Sequence, residues 1–359
     1  MTMVQHGMLL AYAERHRDMG PASEILIEAL AHSGLGNSET RPKLLWTAYQ
    51  AFGADSSPKS LSNYRVAMMG AALEIFQHAA DIIEDMANRS PTRRGHNSLA
   101  AHLARRHAAE GWLGDSTHFS VALAQLVADI VMLSGVQTFR HAVEDALDPE
   151  QQKYLNWLHD DGLSAATLGY LLDVLGPRLP EMPTPEAIVD QAMYVANNKT
   201  GRFIVAAPLA MGAAAAGASR KACDAMIHCG TAAGEAFHLR EDQLSTTGTP
   251  TLTGKPSGSG LQEGKRTVLI GLTLQRLPDD ERRSFIRALQ RGEAPLAEER
   301  VQHLQKVIAN SGALEALEEI IQAKVQEAIE DIDATALRPE GKVMLREAII
   351  ALSSPDQSF

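Results

Sequence analysis

Residues 76–95 read FQHAADIIEDMANRSPTRRG, and this stretch does most to decide the fold class. On a helix, Glu84 and Asn88 are four residues apart and Asp85 and Asn88 are three apart, so their oxygen atoms share one face. Oxygen ligands suit Mg²⁺, which usually keeps some water and bridges carboxylates to phosphate. The stretch therefore predicts a helix with a metal-binding face.

Two adjacent arginines, Arg93 and Arg94, come eight and nine residues after Asp85. Guanidinium groups are planar, permanently charged donors that are suited to phosphate. Taken alone, the same pattern is explained equally well by a helix end with a solvated arginine pair.

A second acidic segment, GEAFHLREDQLS, spans residues 234–245. Glu241, Asp242 and Ser245 again lie at positions i, i+1 and i+4 on one helix face. The polar loop that follows carries Lys255 and Lys265 among glycines that allow close backbone approach to a phosphate. A flexible surface loop is the alternative interpretation.

A third polar segment, NNKTG at residues 197–201, interrupts an otherwise apolar stretch. Lys199 and Thr200 need polar partners there, because burying an unpaired polar group is costly. A lysine that extends to solvent is the alternative.

Composition favours a helical protein and excludes several function classes. The 359 residues are 45% hydrophobic but only 5% aromatic, which favours helices over sheet. A formal net charge of −11 argues against a nucleic-acid-binding protein. Two cysteines are too few for a disulfide framework, so Cys223 and Cys229 are expected to pack in a helix. With no signal peptide and no apolar run near the roughly 20 residues of a membrane helix, a cytoplasmic protein is expected.

Helical periodicity and turn-forming breaks predict an all-α protein. No repeat and no strand-like alternation is visible. The predicted helices lie near 22–33, 41–53, 60–88, 97–108, 117–145, 150–176, 184–218, 219–246, 265–276, 279–292, 296–312, 313–334 and 339–352.

In combination, the three segments resemble the trans-isoprenyl diphosphate synthase (polyprenyl synthetase) family over about residues 30–275. The family's DDxxD and RRG motifs fall on Glu84, Asp85, Asn88, Arg93, Arg94 and Gly95. Its FQxxDDxxD motif falls on Phe237, His238, Glu241, Asp242 and Ser245. Its KT pair matches Lys199 and Thr200, its loop lysines match Lys255 and Lys265, and its GGKRxRP motif matches residues 36–42, including Arg41.

This resemblance implies a single isoprenoid-synthase-like helical domain over residues 1–359, built around a central cavity. It implies that helices 277–352 form a packing layer and that the protein is a homodimer, for which the apolar tract at 117–136 is a candidate interface.

The resemblance also implies an activity, which is the transfer of an allylic group to isopentenyl diphosphate. Magnesium held by the acidic faces would assist departure of pyrophosphate, and the allylic cation would be attacked by the isopentenyl double bond in a site closed to water. The implied metal ligands are Glu84, Asp85, Asn88, Glu241 and Asp242. The implied allylic diphosphate ligands are Arg93, Lys199, Thr200, Lys255 and Lys265. Three of these, Lys199, Thr200 and Arg93, are also the implied catalytic residues. The implied isopentenyl ligands are Arg41, Gln77 and Arg94, and His238 replaces a glutamine of the substrate site.

Several residues depart from the family's pattern. Glutamate replaces the first aspartate of both acidic motifs, and Asn88 and Ser245 replace anionic ligands by neutral oxygens. Ser38 replaces a lysine expected to bind isopentenyl diphosphate, which removes a charge-assisted hydrogen bond worth about 1.5–3 kcal/mol. These departures leave two alternatives open. One is a terpene cyclase or a prenyltransferase with another acceptor, and the other is a weakly active partner subunit of an active synthase.

Small residues at Ala79 and Ala80, before Glu84, bear on product length. In the family, bulky aromatics at these positions close the elongation pocket. Alanines imply a deeper tunnel and a product of geranylgeranyl length or longer, although ordinary helix packing also explains them.

Overall fold

The structure, a computed structural model, is a set of α-helices with one two-stranded hairpin among the residues it describes. It describes residue 14 and residues 17–33, 39–53, 61–93, 95–144, 147–179, 183–248, 257–289 and 296–354. The helices before the second acidic segment are α1 (Pro21–Ser33), α2 (Thr40–Ala51), α3 (Asn63–Asn88), α4 (Leu99–Ala109), α5 (Ser116–Val143), α6 (Pro149–Leu175), α7 (Pro185–Val195), a π-helix (Ala196–Ala206) and α8 (Ala207–Ala215). The remaining helices are α9 (Arg220–Thr247), α10 (Ser259–Gln262), α11 (Val268–Arg276), α12 (Asp279–Leu289), α13 (Glu298–Asn310), α14 (Ala313–Ala334) and α15 (Pro339–Ser353).

Many of these helices begin at a residue whose side-chain oxygen accepts a hydrogen bond from a backbone N–H of the first turn. Such caps satisfy amide groups that would otherwise lack a partner. The capping residues are Ser98, Asp115, Thr184, Ser219 and Thr267. Local sequence therefore sets where α4, α5, α7, α9 and α11 begin.

Helix α3 ends at a residue in the left-handed conformation. Arg89, with φ of 53°, donates its backbone N–H to the carbonyls of Asp85 and Met86. The chain then forms a hairpin of Thr92–Arg93 (β1) and His96–Asn97 (β2), turning at Gly95, whose φ is +80°. The reversal at Arg89 precedes Arg93 and returns it toward the helix that the chain has just left.

The contacts divide the chain into two compact units. Unit 1 comprises residues 1–46, 54–156 and 215–217, and in it α3 packs along α5. The close approach of these helices requires Gly135, where a Cβ would lie 3.2 Å from the carbonyl oxygen of Ala72. Their apolar faces form a core with α1 and α4.

Unit 2 comprises residues 47–53, 157–214 and 218–359. Its helix α9 packs against the π-helix on one side and α14 on another. Glycines allow the first contact, since a Cβ on Gly234 would lie 2.5 Å from the Cα of Gly201. The C-terminal helices α12, α13 and α14 share a hydrophobic core with α7, α9 and α11. The predicted single domain stays a prediction.

The predicted all-α class is confirmed, and most helix bounds agree to within a few residues. The predicted helix at 184–218 is instead three consecutive pieces, α7, the π-helix and α8. The hairpin at 92–97 was not predicted, because two-residue strands are too short to show alternation. Cys223 and Cys229 are buried on α9, as expected, and burial raises the pKa of each thiol to about 12.

By length and composition alone, helices α3 and α5 could each cross a membrane. The most apolar 18-residue window of α3 is 89% buried inside the protein, so α3 is a core helix. The corresponding window of α5 is only 39% buried, which leaves an exposed apolar face on that helix.

Candidate active site

In unit 1, the Arg93 guanidinium lies among three carboxylates of α3. It donates two hydrogen bonds of 2.9 Å to Asp85 and one of 3.0 Å to Glu84, and its third nitrogen lies 3.2 Å from Asp81. All four side chains are mostly buried, with exposed fractions of 21% or less. The hairpin therefore supplies the cation that balances the acidic face.

Asp81 belongs to this cluster although the motif pattern does not include it. It lies one turn before Asp85 and accepts a 2.7 Å hydrogen bond from the Gln77 amide. Burial raises the pKa of Asp85, and the hydrogen bond from Arg93 partly offsets that rise. The spacing of Asp81 and Asp85 was visible in the sequence, but the gapless match to the family's motif begins three residues later.

The other predicted residues of unit 1 lie along or near α3. Arg41 is 3% exposed and forms a 2.8 Å ion pair with Glu74, while Gln77 is buried beside Asp81. Asn88 is the last residue of the helix and is half-buried. Ala79 and Ala80 are buried on α3. Arg94 and Ser38 lie outside the described residues.

In unit 2, two lysines converge on Asp173 of α6. The Lys199 ammonium lies 2.6 Å from the Oδ2 atom of Asp173, and the Lys265 ammonium lies 3.9 Å from the same oxygen. Lys199 also lies 4.4 Å from the centre of the Tyr170 ring, a cation–π contact. Lys199 and Lys265 were predicted to bind the same diphosphate, and the structure places both near Asp173.

Gly169 makes the position of Lys199 possible. A Cβ on Gly169 would lie 2.6 Å from the backbone nitrogen of Lys199, so only glycine permits this crossing of α6 and the π-helix. Asp173 lies one turn after Gly169 and therefore faces the same lysine. Sequence reasoning missed Asp173 and Tyr170, because a single aspartate on an apolar helix is usually solvated.

Thr200 and His238 connect the π-helix to the second acidic motif. The Thr200 Oγ1 atom lies 2.7 Å from the Nδ1 atom of His238, and the His238 Nε2 atom lies 3.5 Å from the Oδ2 atom of Asp242. Burial lowers the pKa of His238 to about 4, assisted by the positive charge of Lys199. Burial raises the pKa of Asp242 to about 7, although Lys265 opposes the rise.

Glu241 and Ser245, the other two residues of the second acidic motif, differ from Asp242 in exposure and in hydrogen bonding, respectively. Glu241 is exposed on α9, and Ser245 donates its hydroxyl to the backbone carbonyl of Asp242 at 2.9 Å. The Ser245 hydroxyl therefore bonds to its own helix, at a position where the family's motif has a carboxylate. Lys255 lies outside the described residues.

A cavity of about 120 Å³ opens in unit 2 beside these groups. Its polar lining residues include Asp173, His238, Asp242 and Lys265. Its apolar lining residues include Leu172, Leu175, Pro177, Leu179 and Val195. A cavity lined by both charged and apolar residues suits an amphiphilic ligand with an anionic head.

The donor chemistry fits Mg²⁺, since carboxylate oxygens predominate in both acidic motifs. In the part of the chain that the structure describes, no group of three or more His, Cys, Asp or Glu residues is arranged to hold a metal ion. In unit 1 the Arg93 guanidinium pairs with the carboxylates of Asp81, Glu84 and Asp85. A metal ion would have to replace at least part of that pairing.

The site combines acidic clusters on helices with two lysines beside a cavity that has charged and apolar lining residues. These features define a class of helical proteins that is suited to phosphorylated ligands. The polyprenyl synthetase family matches residues 23–308. A short chain isoprenyl diphosphate synthase of Methanothermobacter thermautotrophicus is 25% identical over 87% of this chain and 85% of its own length. A geranylgeranyl diphosphate synthase of Methanosarcina mazei is 24% identical over 94% and 90%.

A solved structure gives the same result. Geranylgeranyl pyrophosphate synthase from Corynebacterium glutamicum, complexed with isoprenyl diphosphate and magnesium, superposes with a TM-score of 0.87 at 26% identity, covering 99% of this chain and 98% of the other. The chain belongs to the polyprenyl synthetase family. The predicted family and the prediction of a trans-prenyltransferase are thereby confirmed.

Proposed function

We propose that this protein condenses an allylic diphosphate with isopentenyl diphosphate to make a trans-polyprenyl diphosphate of geranylgeranyl length or longer. The observation that carries the proposal is the convergence of Lys199 and Lys265 on Asp173 beside a cavity with apolar lining residues. Lys265 also pairs with Glu263 at 3.2 Å, so a diphosphate would compete with two carboxylates, Asp173 and Glu263, for the two ammonium groups. The apolar residues that line the cavity suit the hydrocarbon part of the same substrate.

Lys199 and Lys265 bind the allylic diphosphate in this proposal, together with Lys255. Lys199 is held by Asp173 and Tyr170, so its ammonium is already oriented when substrate arrives. Pre-positioned cations lower the barrier to diphosphate departure, because the negative charge of the leaving group increases as the bond breaks.

Magnesium is proposed to bind at Glu84, Asp85 and Asn88, joined by Asp81, and at Glu241 and Asp242. When bound, it supplies positive charge that neutralises the departing pyrophosphate. Metal held at the unit 1 carboxylates would compete with Arg93 for their oxygens and would leave its guanidinium available to phosphate.

The acceptor, isopentenyl diphosphate, is assigned to Arg41, Gln77 and Arg94. Arg41 and Gln77 are held by Glu74 and Asp81, respectively, so both are fixed in place before substrate binds. The new carbon–carbon bond forms when the isopentenyl double bond attacks the allylic cation, and one proton is then lost. Arg41 and Gln77 are themselves buried, and the reaction needs a site closed to water, which would otherwise capture the cation.

We further propose that the protein is a cytoplasmic homodimer. Helix α5 presents Val121, Leu126 and Leu133 with exposed fractions of 42%, 59% and 57%. Exposed apolar residues on one helix indicate an interaction surface, and a second copy is the simplest partner.

The reaction is tested by incubating the purified protein with Mg²⁺ and a labelled allylic diphosphate, with and without isopentenyl diphosphate. Elongated diphosphates that require isopentenyl diphosphate support the proposal. Hydrocarbon formed without isopentenyl diphosphate would instead identify a cyclase. Turnover that appears only after a second synthase subunit is added would identify a partner subunit.

A further inference from the structure

A chain of polar contacts runs from Thr200 on the π-helix through His238 to Asp242 on α9. Thr200 is 1% exposed, and the side chains of His238 and Asp242 are 12% and 13% exposed. His238 and Asp242 line the cavity, whereas Thr200 lies behind them. Thr200 is therefore placed to act on the cavity through the histidine.

The direction of the first hydrogen bond follows from burial. A buried hydroxyl must donate its proton or lose the free energy of an unmade hydrogen bond. Among the described residues, the Nδ1 atom of His238 is the one acceptor within hydrogen-bond distance of the Thr200 hydroxyl, at 2.7 Å. The hydroxyl therefore donates, and Nδ1 accepts.

This direction fixes the state of the imidazole ring. A ring nitrogen that accepts a hydrogen bond carries no proton, so the single proton of the neutral ring is on Nε2. The Nε2–H group faces the Oδ2 atom of Asp242 at 3.5 Å, and a shift of about 0.5 Å brings that contact to hydrogen-bond length. In this tautomer, His238 offers the cavity a donor and no free lone pair.

We propose that Thr200 and His238 are positioning residues, in which Thr200 fixes the Nε2–H tautomer of His238 and His238 orients the Asp242 carboxylate. His238 is then neither a general base nor a metal ligand. The orienting role rests on the proposed function, since it matters only if Asp242 binds magnesium. The tautomer does not rest on it.

The packing of the two helices supports a fixed geometry. Gly234 lies one turn before His238, and the Cα of Gly201, next to Thr200, lies 2.5 Å from where a Cβ of Gly234 would be. The two backbones are therefore in direct contact beside the hydrogen bond between Thr200 and His238. Carboxylate ligands oriented by an outer hydrogen bond commonly bind metal about 10–100-fold better than ligands without one.

The tautomer is tested by nuclear magnetic resonance of protein labelled with ¹⁵N in the histidine rings. The His238 signals are assigned as those lost in His238→Asn, and we expect a protonated Nε2 and an unprotonated Nδ1. Thr200→Val should remove the Nδ1 hydrogen bond and shift that signal, whereas Thr200→Ser should preserve it. A proton on Nδ1 in the wild-type protein would overturn the proposal.

The orienting role is tested by calorimetric titration with Mg²⁺ alone. We expect Thr200→Val and His238→Asn to weaken Mg²⁺ binding about 10–100-fold. His238→Gln should retain most of the affinity, because its carboxamide places a donor near the position of Nε2. The matched control is Thr231→Val, which removes a hydroxyl that only bonds its own helix, to the Ile227 carbonyl at 2.7 Å.

The outcomes separate this inference from the proposed function. The protein could show the expected tautomer and the expected order of Mg²⁺ affinities but no turnover. That result would contradict the proposed function and leave this inference standing. Turnover with unchanged Mg²⁺ affinity in Thr200→Val would overturn the orienting role alone. Absence of Mg²⁺ binding in the wild-type protein would also overturn it.

Discussion

The Arg93 guanidinium supplies the positive charge that allows three carboxylates to lie together on α3. Burial lowers the pKa of Arg93, but the charges of Asp81, Glu84 and Asp85 more than offset this, so the pKa is raised. The same pairing reduces the repulsion between these three carboxylates while no metal is bound. Arg93 and a divalent cation are therefore competitors for the same oxygens.

Replacing Arg93 by alanine tests this competition. We expect Arg93→Ala to lower the free energy of unfolding by about 3–5 kcal/mol without metal, because three mostly buried carboxylates lose their counterion. Added Mg²⁺ should restore part of that stability, which urea unfolding with and without Mg²⁺ would measure. The control Arg283→Ala breaks an exposed pair with Asp280 and should change stability by less than about 1 kcal/mol. Equal effects of the two substitutions would contradict the proposed role of Arg93.

His238 and Asp242 have opposite effects on stability as pH changes. The pKa of Asp242 is raised to about 7, so its contribution to stability is lost as pH rises from about 4 to about 7. The pKa of His238 is lowered to about 4, so its contribution to stability increases as pH rises from about 4 to 6.5. In the wild-type protein, these two contributions oppose each other.

Single substitutions should separate the two titrations. Relative to wild type, Asp242→Asn should become more stable as pH rises from 4 to 7, by at most about 4 kcal/mol. His238→Gln should become less stable relative to wild type between pH 4 and 6.5. Urea unfolding without divalent cations, at several pH values, measures both differences, and parallel profiles for the three proteins would contradict the assignment.

At the scale of elements, the π-helix is the segment that brings Lys199 and Thr200 to the site. A π-helix holds one more residue per hydrogen-bonded turn than an α-helix, and such segments frequently occur at functional sites. Here it is packed against glycines on both sides, Gly169 of α6 and Gly234 of α9. The position of the π-helix is therefore set by backbone contact, and replacing either glycine by a larger residue should move Lys199.

Gly169→Ala tests that dependence. The added methyl group would overlap the Lys199 backbone, so we expect a loss of about 1–3 kcal/mol in stability. A displacement of Lys199 by about 1 Å would lower turnover about 100-fold. Gly176→Ala, at the start of the short 3₁₀ turn after α6, adds a methyl group in open space and should leave stability nearly unchanged. Wild-type turnover in Gly169→Ala would show that the close packing does not position the lysine.

Helix α3 also carries the residues proposed to limit product length. Ala80 is 4% exposed and lies one turn before Glu84. We expect Ala80→Phe to shift the products toward farnesyl length, because a ring at this position would close the tunnel that the family resemblance implies. Chromatography of the products formed from farnesyl and isopentenyl diphosphates is the measurement, and Ala108→Phe, on the exposed side of α4, is the control. A wild-type enzyme that stops at farnesyl length would contradict the deep tunnel.

The sequence predicted the helices, because they depend on local pattern, and the same local pattern singled out the candidate site residues. Periodicity and capping residues locate helices, and Lys199, Lys265 and Asp242 are chemically conspicuous at their spacings. The π-helix could not be predicted, because its extra residue per turn is stabilised by glycine contacts from distant segments. Asp173 was missed for the same reason, since only the fold shows that two lysines converge on it.

At the scale of the whole molecule, the exposed leucines of α5 predict the oligomeric state. Leu126 and Leu133 are seven residues apart and therefore lie on the same face of the helix. In a twofold-symmetric dimer each substitution acts twice, and burying one leucine contributes about 1.5–3 kcal/mol. We expect the double variant Leu126→Glu, Leu133→Glu to weaken dimerisation more than about 100-fold in analytical ultracentrifugation. Ile350→Glu, on the exposed side of α15, is the matched control and should remain dimeric. A monomeric wild-type protein, or a double variant that is still a dimer, would show that α5 does not form the interface.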